Sequence, residues 1–399
     1  MERRLKDYKK FVGKETIERI LSNASALSGL RLIHINSTSK GGGVAEILSS
    51  MVPLMRSVGI EAEWKVIQAP KKFFAITKKL HNNLQGADEE IKEEEKKIYL
   101  EVNKKFSKTK LDYECVIVHD PQPLATISFI KKTCPWIWRC HIDLSAPNPS
   151  TWNFLKNFIL RYDHLVVSMK KYIKKDITLA CSIIPPSIDP LTEKNKELSK
   201  SFMISYLEKN GITLEKPVIA QISRFDKWKD PIGVVKVFEK VKRKVDCMLV
   251  MLGSFASDDP EGFAIYKELR EYCKNKDDVK IIAKHDTTLV NCLQSMACVV
   301  LQKSIKEGFG LTISEALWKK TPVIGSNVGG IPLQIVDGKS GYLVEPYDYA
   351  DCARKVVKLV ENEGLRRNMG EFGKEWVKEH FLITRHLNDW INVIKEVIR

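Results

Sequence analysis

Short apolar runs alternate with segments of helical period from one end of the chain to the other. Residues 30–36 (LRLIHIN) are apolar on both faces and rich in β-branched side chains, which predicts a strand buried in a parallel sheet. Val44, Ile47, Leu48, Met51, Val52 and Met55 then recur at helical spacing, with Pro53 expected to kink that helix and Gly59 to stop it. Further strands are predicted at 62–67, 115–119, 137–142 and 165–167, the last closing this series. Leu84, Ala87, Ile91, Ile98, Val102 and Phe106 read as one helical stripe. The charges between Asp88 and Lys97 surround it, with Glu93 and Lys97 as a surface pair.

Residues 183–191 (IIPPSIDPL) gather three prolines and predict a linker. A second series follows, with strands at 217–223, 247–253, 279–283, 298–302, 322–326 and 341–344, each separated by a helical segment. Two successive β/α series imply an α/β protein of two Rossmann-like, doubly wound parallel-sheet domains, at 1–185 and 186–375. The chain's last stretch, 376–399 with its helix at 384–398, is expected to return to the first domain. Ligands of such folds bind at the carboxyl ends of the strands, so the cleft between the domains is the expected site.

A length of 399 residues suits two cores better than one. No apolar run reaches the roughly 18 residues a membrane span needs, and the charged start MERRLKDYKK has no apolar core of a secretory signal. The nine cysteines form no CxxC pair and no histidine cluster has ligand spacing. Neither a zinc site nor a disulfide framework is expected; free thiols in a reducing cytoplasm are. The net charge of +15 is the excess of 65 basic over 50 acidic residues, and the lysine doublets are scattered and read mostly as solvated faces. With no recognition-helix motif and no alternating basic–aromatic stripe, no nucleic-acid partner is expected. Lys71, Lys72, Phe73, Phe74, Lys78, Lys79 and Leu80 permit two readings: a basic amphipathic helix on a lipid surface, or a helix whose apolar residues pack in the core.

Five segments carry candidate chemistry. Gly41–Gly42–Gly43 lies between the first strand and the first long helix, where glycines let the backbone approach a ligand and a helix N-terminus favours phosphate. A tight structural turn is the alternative. At 223–229 (SRFDKWK), Arg224 and Lys229 stand at the end of the first strand of the second series. Two fixed cations there could neutralise a departing diphosphate in place of a divalent metal, or could be ordinary surface charge. At 306–315 (KEGFGLTISE), Glu307 lies on a glycine-rich loop and Glu315 in the second turn of the helix that follows. Glu315 is placed to accept from vicinal ribose hydroxyls and Glu307 from those of a transferred sugar, while the amides of Leu311 and Thr312 open the helix toward phosphate. Finally, 119–123 (HDPQP) and 139–143 (RCHID) end two strands of the first domain. They offer Asp120, Gln122 and His141 as sugar contacts, or as residues of core and loop structure.

These segments, with 36–64, 119–124, 138–148, 223–231, 258–262 (DDPEG), 301–318 and 322–335, resemble the family 4 retaining glycosyltransferases of the two-domain B fold. Within that family the chain is most similar to the archaeal trehalose-forming branch, which joins a nucleotide-diphosphate glucose to free glucose. The resemblance implies two Rossmann-like domains facing across a cleft, and reversible transfer giving α,α-trehalose with no metal ion or other cofactor. It implies Arg224, Lys229, Glu307 and His141 as catalytic residues. It assigns the donor to Gly42, Gly43, Arg224, Lys229, Gly308, Phe309, Gly310, Leu311, Thr312 and Glu315, with Glu315 on the ribose and His141 near the 6-hydroxyl of the transferred glucose. Glu46, Asp120, Gln122, His141 and Asp143 are implied for the acceptor. No general base is evident; in the family the acceptor proton passes to a donor phosphate oxygen. The implied partners are small molecules, with a homodimer and no stable membrane insertion. The nucleotide stays open among UDP, ADP, GDP and TDP. Rival readings are a trehalose phosphorylase on the same fold and a membrane-surface transferase with a lipid acceptor.

Overall fold

The computed structural model describes residues 3–40, 42–254 and 260–398, in two compact units: Met1–Ser187 with Ile383–Arg399, and Ile188–Leu382. In the first unit, β1 (Arg31–Asn36), β2 (Glu61–Val66), β3 (Cys115–His119), β4 (Trp136–Arg139), β5 (His164–Val167) and β6 (Ala180–Ile183) form one parallel sheet in the order β2-β1-β3-β4-β5-β6. Its central strands are buried on both faces, which is why they read as continuous apolar runs. Ile33, Val118, Trp136 and Trp138 pack on one face with Phe73, Tyr99 and Trp152. On the other lie helices Lys14–Ala24 and Gly43–Ser57, which the final helix, Ile383–Val397, packs against.

The second unit repeats the plan with β7 (Val218–Ile222), β8 (Met248–Gly253), β9 (Val279–Ala283), β10 (Val299–Gln302), β11 (Val323–Ser326) and β12 (Gly341–Val344). Its order is β12-β11-β10-β7-β8-β9, all parallel. The α/β class and both parallel sheets are as the periodicity predicts.

Five details differ. The stripe from Leu84 to Phe106 is two helices, Lys71–Leu84 and Glu93–Phe106. The break falls at Gly86, whose φ of 91° no helix accommodates, and Asn83 holds the intervening loop through both the amide and the carbonyl of Glu89. Glu93 pairs with Lys96 at 2.6 Å rather than with Lys97. The strand expected at 137–142 ends at Arg139: the Cys140 amide still reaches the Val166 carbonyl at 3.0 Å, but that of His141 turns away and donates to the Asp120 carboxylate at 2.8 Å. Residues 180–183 form an additional strand, β6, half-exposed at the sheet edge and too mixed in polarity to be read from its sequence. The return to the first unit falls at Ile383 rather than 376, since helix Glu363–His380 belongs to the second. Phe73 and Leu80 are fully buried in the first core, so the lysine-rich helix at 71–84 is a core helix with a basic outer face. Among the described residues no helix is long and apolar enough to cross a membrane.

Candidate active site

Counted in chain order, the second sheet winds outward from β7 in one direction and from β10 in the other. The reversal between those adjacent strands is where a doubly wound sheet splays its loops apart and receives ligands. The loop after β7 carries Arg224 and Lys229. The loop after β10 carries Glu307 and runs through Gly308, Phe309 and Gly310 into the helix Leu311–Trp318. The two loops meet: the Lys229 ammonium donates to Oε2 of Glu307. The same oxygen accepts from Nε2 of Gln302 at 3.0 Å and from Oγ of Ser304 at 3.2 Å. Gln221 of β7 donates to the Lys229 carbonyl at 2.9 Å, tying the lysine's backbone to the sheet. Arg224 is different. Its side chain is 48% exposed and makes a weak 3.4 Å contact with Asp226, a residue that also receives the Trp228 amide at 2.8 Å. One cation is therefore docked against a buried carboxylate and the other stands in solvent beside it in sequence.

The Glu307–Gly310 loop is held from beneath. A Cβ on Gly329, where φ is 56°, would lie 1.6 Å from the Glu307 carbonyl oxygen, and one on Gly330 would lie 2.7 Å from that of Gly308. The loop after β11 therefore passes so close that side chains are excluded. Gln334 clamps the other side. Its Nε2 donates to the carbonyl of Phe309 at 2.5 Å, and its Oε1 accepts from the amide and hydroxyl of Ser314 at 3.0 and 2.6 Å. Gly310 caps the helix at φ 83°. The first amides of a helix have no intrahelical acceptor, so those of Leu311 and Thr312 face outward as a phosphate cradle would require.

Glu315 is 3% exposed and lies in a basic nest separate from Glu307. Lys194 donates to its Oε1 at 3.1 Å and Gln294 to its Oε2 at 3.2 Å. Burial works against its charge, but Lys194 and Lys319, with the Gln294 bond, hold the carboxyl below its ordinary range. Burial also lowers Lys319, to about 7, even with Glu315 opposing.

In the first unit Gly42 caps the helix Gly43–Ser57 at φ 80°, and a Cβ there would meet nothing within 4 Å. The conformation demands glycine while the space stays open; Gly41 lies outside the described residues, as do Asp258 and Asp259. Glu46 is exposed on the first turn of that helix. Asp120 and His141 are joined by the backbone bond given above. Burial pushes the Asp120 carboxyl up to about 6, against the His141 amide and Arg139. Asp120 itself adopts φ 60°. Oε1 of Gln122 is buried without a partner among the described residues, and Asp143 accepts the Ser145 amide at 2.8 Å in a local turn.

Sequence reasoning missed what stands behind His141. Its Nε2 lies 3.0 Å from Nδ1 of His119, and Nε2 of His119 lies 3.0 Å from Nδ1 of His34. Arg139, fully buried, donates to Ser168 at 3.2 Å, and burial brings it down to about 10. His34 and His119 face one side of adjacent strands, a signal readable only once the pairing of β1 with β3 is known. Lys194, Gln334 and Gly329 were likewise invisible, because nothing local marks the partners they meet.

Residues 34–174 match the family model described as "Trehalose synthase, N-terminal domain", and residues 204–376 match "Glycosyl transferases group 1". The chain is 45% identical over 402 residues to a trehalose synthase of the archaeon Pyrococcus furiosus, covering 98% of this chain and 97% of the relative. It is 28% identical over 439 residues to a trehalose phosphorylase of Grifola frondosa, covering 96% of this chain and 60% of that one. Among solved structures, a trehalose-6-phosphate synthase, OtsA, matches with a TM-score of 0.75 at 13% identity, over 92% of this chain and 99% of that chain. At that identity the likeness is one of fold.

Proposed function

The chain belongs to the trehalose synthase family of glycosyltransferases, and from that premise we propose that it moves glucose, with retention, from a nucleotide-diphosphate glucose to free glucose, forming α,α-trehalose. The observation that carries this reading is the meeting of two loops at the reversal of the second sheet, where Lys229 docks on Glu307 beside a glycine-rich helix start. Bond cleavage at the anomeric carbon leaves charge on the departing diphosphate. Arg224 and Lys229 neutralise it there, with the amides of Leu311 and Thr312 adding partial positive charge. Glu307 holds three donors on Oε2 and offers Oε1 to hydroxyls of the transferred glucose. Glu315 accepts from the ribose, its negative charge maintained by Lys194 and Lys319. Gly42 and Gly43 approach the donor; Glu46, Asp120, Gln122, His141 and Asp143 bind the acceptor or the glucose in transit. With two cations in this role, one docked and one in solvent, transfer needs no divalent metal.

The nine cysteines are all free, eight of them in or beside strands or helices of the two cores, which suits a reducing cytoplasm. A homodimer would show as twice the 45.6 kDa chain mass in light scattering. The deciding experiment is a matrix of UDP-, ADP-, GDP- and TDP-glucose against glucose, glucose 6-phosphate and a lipid acceptor, run with and without EDTA, together with trehalose plus inorganic phosphate. Trehalose from one nucleotide donor and free glucose, unaffected by EDTA, is the expected result. Glucose 1-phosphate from the phosphate arm, or loss with EDTA and rescue by manganese, would overturn it.

A further inference from the structure

The three histidines behind one another in the first unit form a directed chain. Nε2 of His34 lies 3.4 Å from the sulfur of Met55, and Nδ1 of His34 faces Nε2 of His119 at 3.0 Å. Nδ1 of His119 in turn faces Nε2 of His141 at 3.0 Å, with those two rings stacked at 5.3 Å. His34 and His119 are buried, and burial holds all three imidazoles neutral: His34 is lowered to about 3, and the other two fall well below their ordinary range. A neutral imidazole has one N–H and one lone pair, and a thioether has no proton to give.

That last fact sets the polarity of the whole chain. The Met55 sulfur can only accept, so Nε2 of His34 carries the proton and Nδ1 is its lone pair. His119 must then donate from Nε2, which leaves its own Nδ1 as the acceptor. His141 must donate from Nε2, which leaves Nδ1. The reverse arrangement would set a ring lone pair against a sulfur lone pair. We infer that His141 presents Nδ1 as a fixed hydrogen-bond acceptor, so that the sugar hydroxyl it meets must donate its proton, and that His119 is the positioning residue that fixes this direction. The inference rests on the proposed contact between His141 and the 6-hydroxyl of the transferred glucose for its substrate, but the tautomer itself depends only on the first unit. It also excludes His141 as a general acid, because Nδ1 has no proton to deliver.

An internal control stands nearby. Trp390 donates from Nε1 to Nε2 of His386 at 3.1 Å, and Nδ1 of His386 lies 3.0 Å from the Pro185 carbonyl. His386 must therefore hold its proton on Nδ1, the opposite tautomer.

Long-range 1H–15N correlation spectra of the full-length protein test this directly. Protons on Nε2 of His34, His119 and His141 and on Nδ1 of His386 are expected; His141 found as the Nδ1–H tautomer or as imidazolium overturns the inference whatever the activity. Kinetics with 6-deoxy- and 6-fluoro-glucose donors test the consequence. Fluorine can accept weakly but cannot donate, so both analogues should lose about 3- to 10-fold in kcat/KM, the worth of one neutral hydrogen bond. A 6-fluoro donor near parent activity beside a weak 6-deoxy donor overturns the stated direction. No loss with either analogue, with the expected tautomers in place, instead removes the 6-hydroxyl contact from the proposed function and leaves the tautomer assignment standing. His119→Phe keeps a stacking ring but breaks the chain. With Nδ1 of His141 then free to carry the proton, the 6-fluoro donor should regain activity relative to the 6-deoxy donor, whereas lowered thermal stability with both analogues still equally weak would make His119 scaffold only.

Discussion

Replacing Lys229 with methionine separates the two duties that the structure gives this residue. Its side chain is 16% exposed and that of Glu307 is 11% exposed, so the substitution strands a largely buried carboxylate with only Gln302 and Ser304 as donors. Breaking a fully buried pair costs about 3–5 kcal/mol, and loss of one partner of a satisfied polar group about 1–3 kcal/mol. The residual exposure and the two remaining donors favour the lower range, about 2 kcal/mol. At about 2–4 °C per kcal/mol for a domain of this size, calorimetry should show Tm lower by roughly 4–8 °C. Glu307→Gln removes the stranded charge, so the double variant should recover most of that stability in a double-mutant cycle. Activity should not recover. The diphosphate loses a charge-assisted partner worth about 1.5–3 kcal/mol, which is roughly 10- to 100-fold in kcat/KM. Unchanged stability in Lys229→Met would show that the pair does not hold the loop. A double variant that regained both stability and turnover would show that the ammonium serves Glu307 alone and never meets the diphosphate.

Arg224→Ala should behave otherwise: with its side chain 48% exposed, stability should move by less than about 0.5 kcal/mol in thermal denaturation while kcat/KM falls roughly 10- to 100-fold. Gly329→Ala should displace the Glu307 loop and abolish most turnover, since its Cβ would lie 1.6 Å from a backbone oxygen; Gly42→Ala, with open space and only a positive φ to strain, should cost about 1 kcal/mol by calorimetry. Gln334→Ala should cost about 1–3 kcal/mol by leaving Ser314 and the Phe309 carbonyl without their partner. Asp120 titrates near 6 when folded against 3.8 for the free side chain, so the folded protein binds its proton more tightly and the native state loses stability as pH rises from 4 to 6. The shift is worth at most about 3 kcal/mol. Asp120→Asn should therefore gain on the parent across that window in Tm against pH, and two parallel profiles would refute the shift.

Strands such as β1, β3 and β7 were legible because a parallel sheet buried on both faces writes itself as an unbroken apolar run. Edge strand β6 was not, since half-exposed positions carry no such constraint. The stripe from Leu84 to Phe106 misled because helical period continues across a loop whose apolar residues, such as Ile91, still pack on the core. Arg224, Lys229 and Glu307 stood out at strand ends and beside glycines, but local sequence left them open between ligand contacts and surface charge, and only the family resemblance gave them roles. That Lys229 would dock on Glu307, or that Glu315 would sit between Lys194 and Gln294, depends on contacts across 78, 121 and 21 positions of chain, which no local pattern encodes. The histidine chain failed for the same reason: His34, His119 and His141 become neighbours only through strand order.

The helix Ile383–Val397 is translated after the whole of the second unit, yet Leu387, Trp390, Ile391 and Ile394 are buried in the first. Trp390 lies edge-on to His34 at 6.1 Å, so one neighbour of the histidine chain also arrives only with that helix. At ribosomal speeds of about 5–20 residues per second, the intervening stretch of roughly 200 residues takes some 10–40 s to emerge. Throughout that interval the nascent first unit displays an uncovered apolar seat, a target for chaperones or for stray association. Whatever folds in between, the first unit must wait for its last helix.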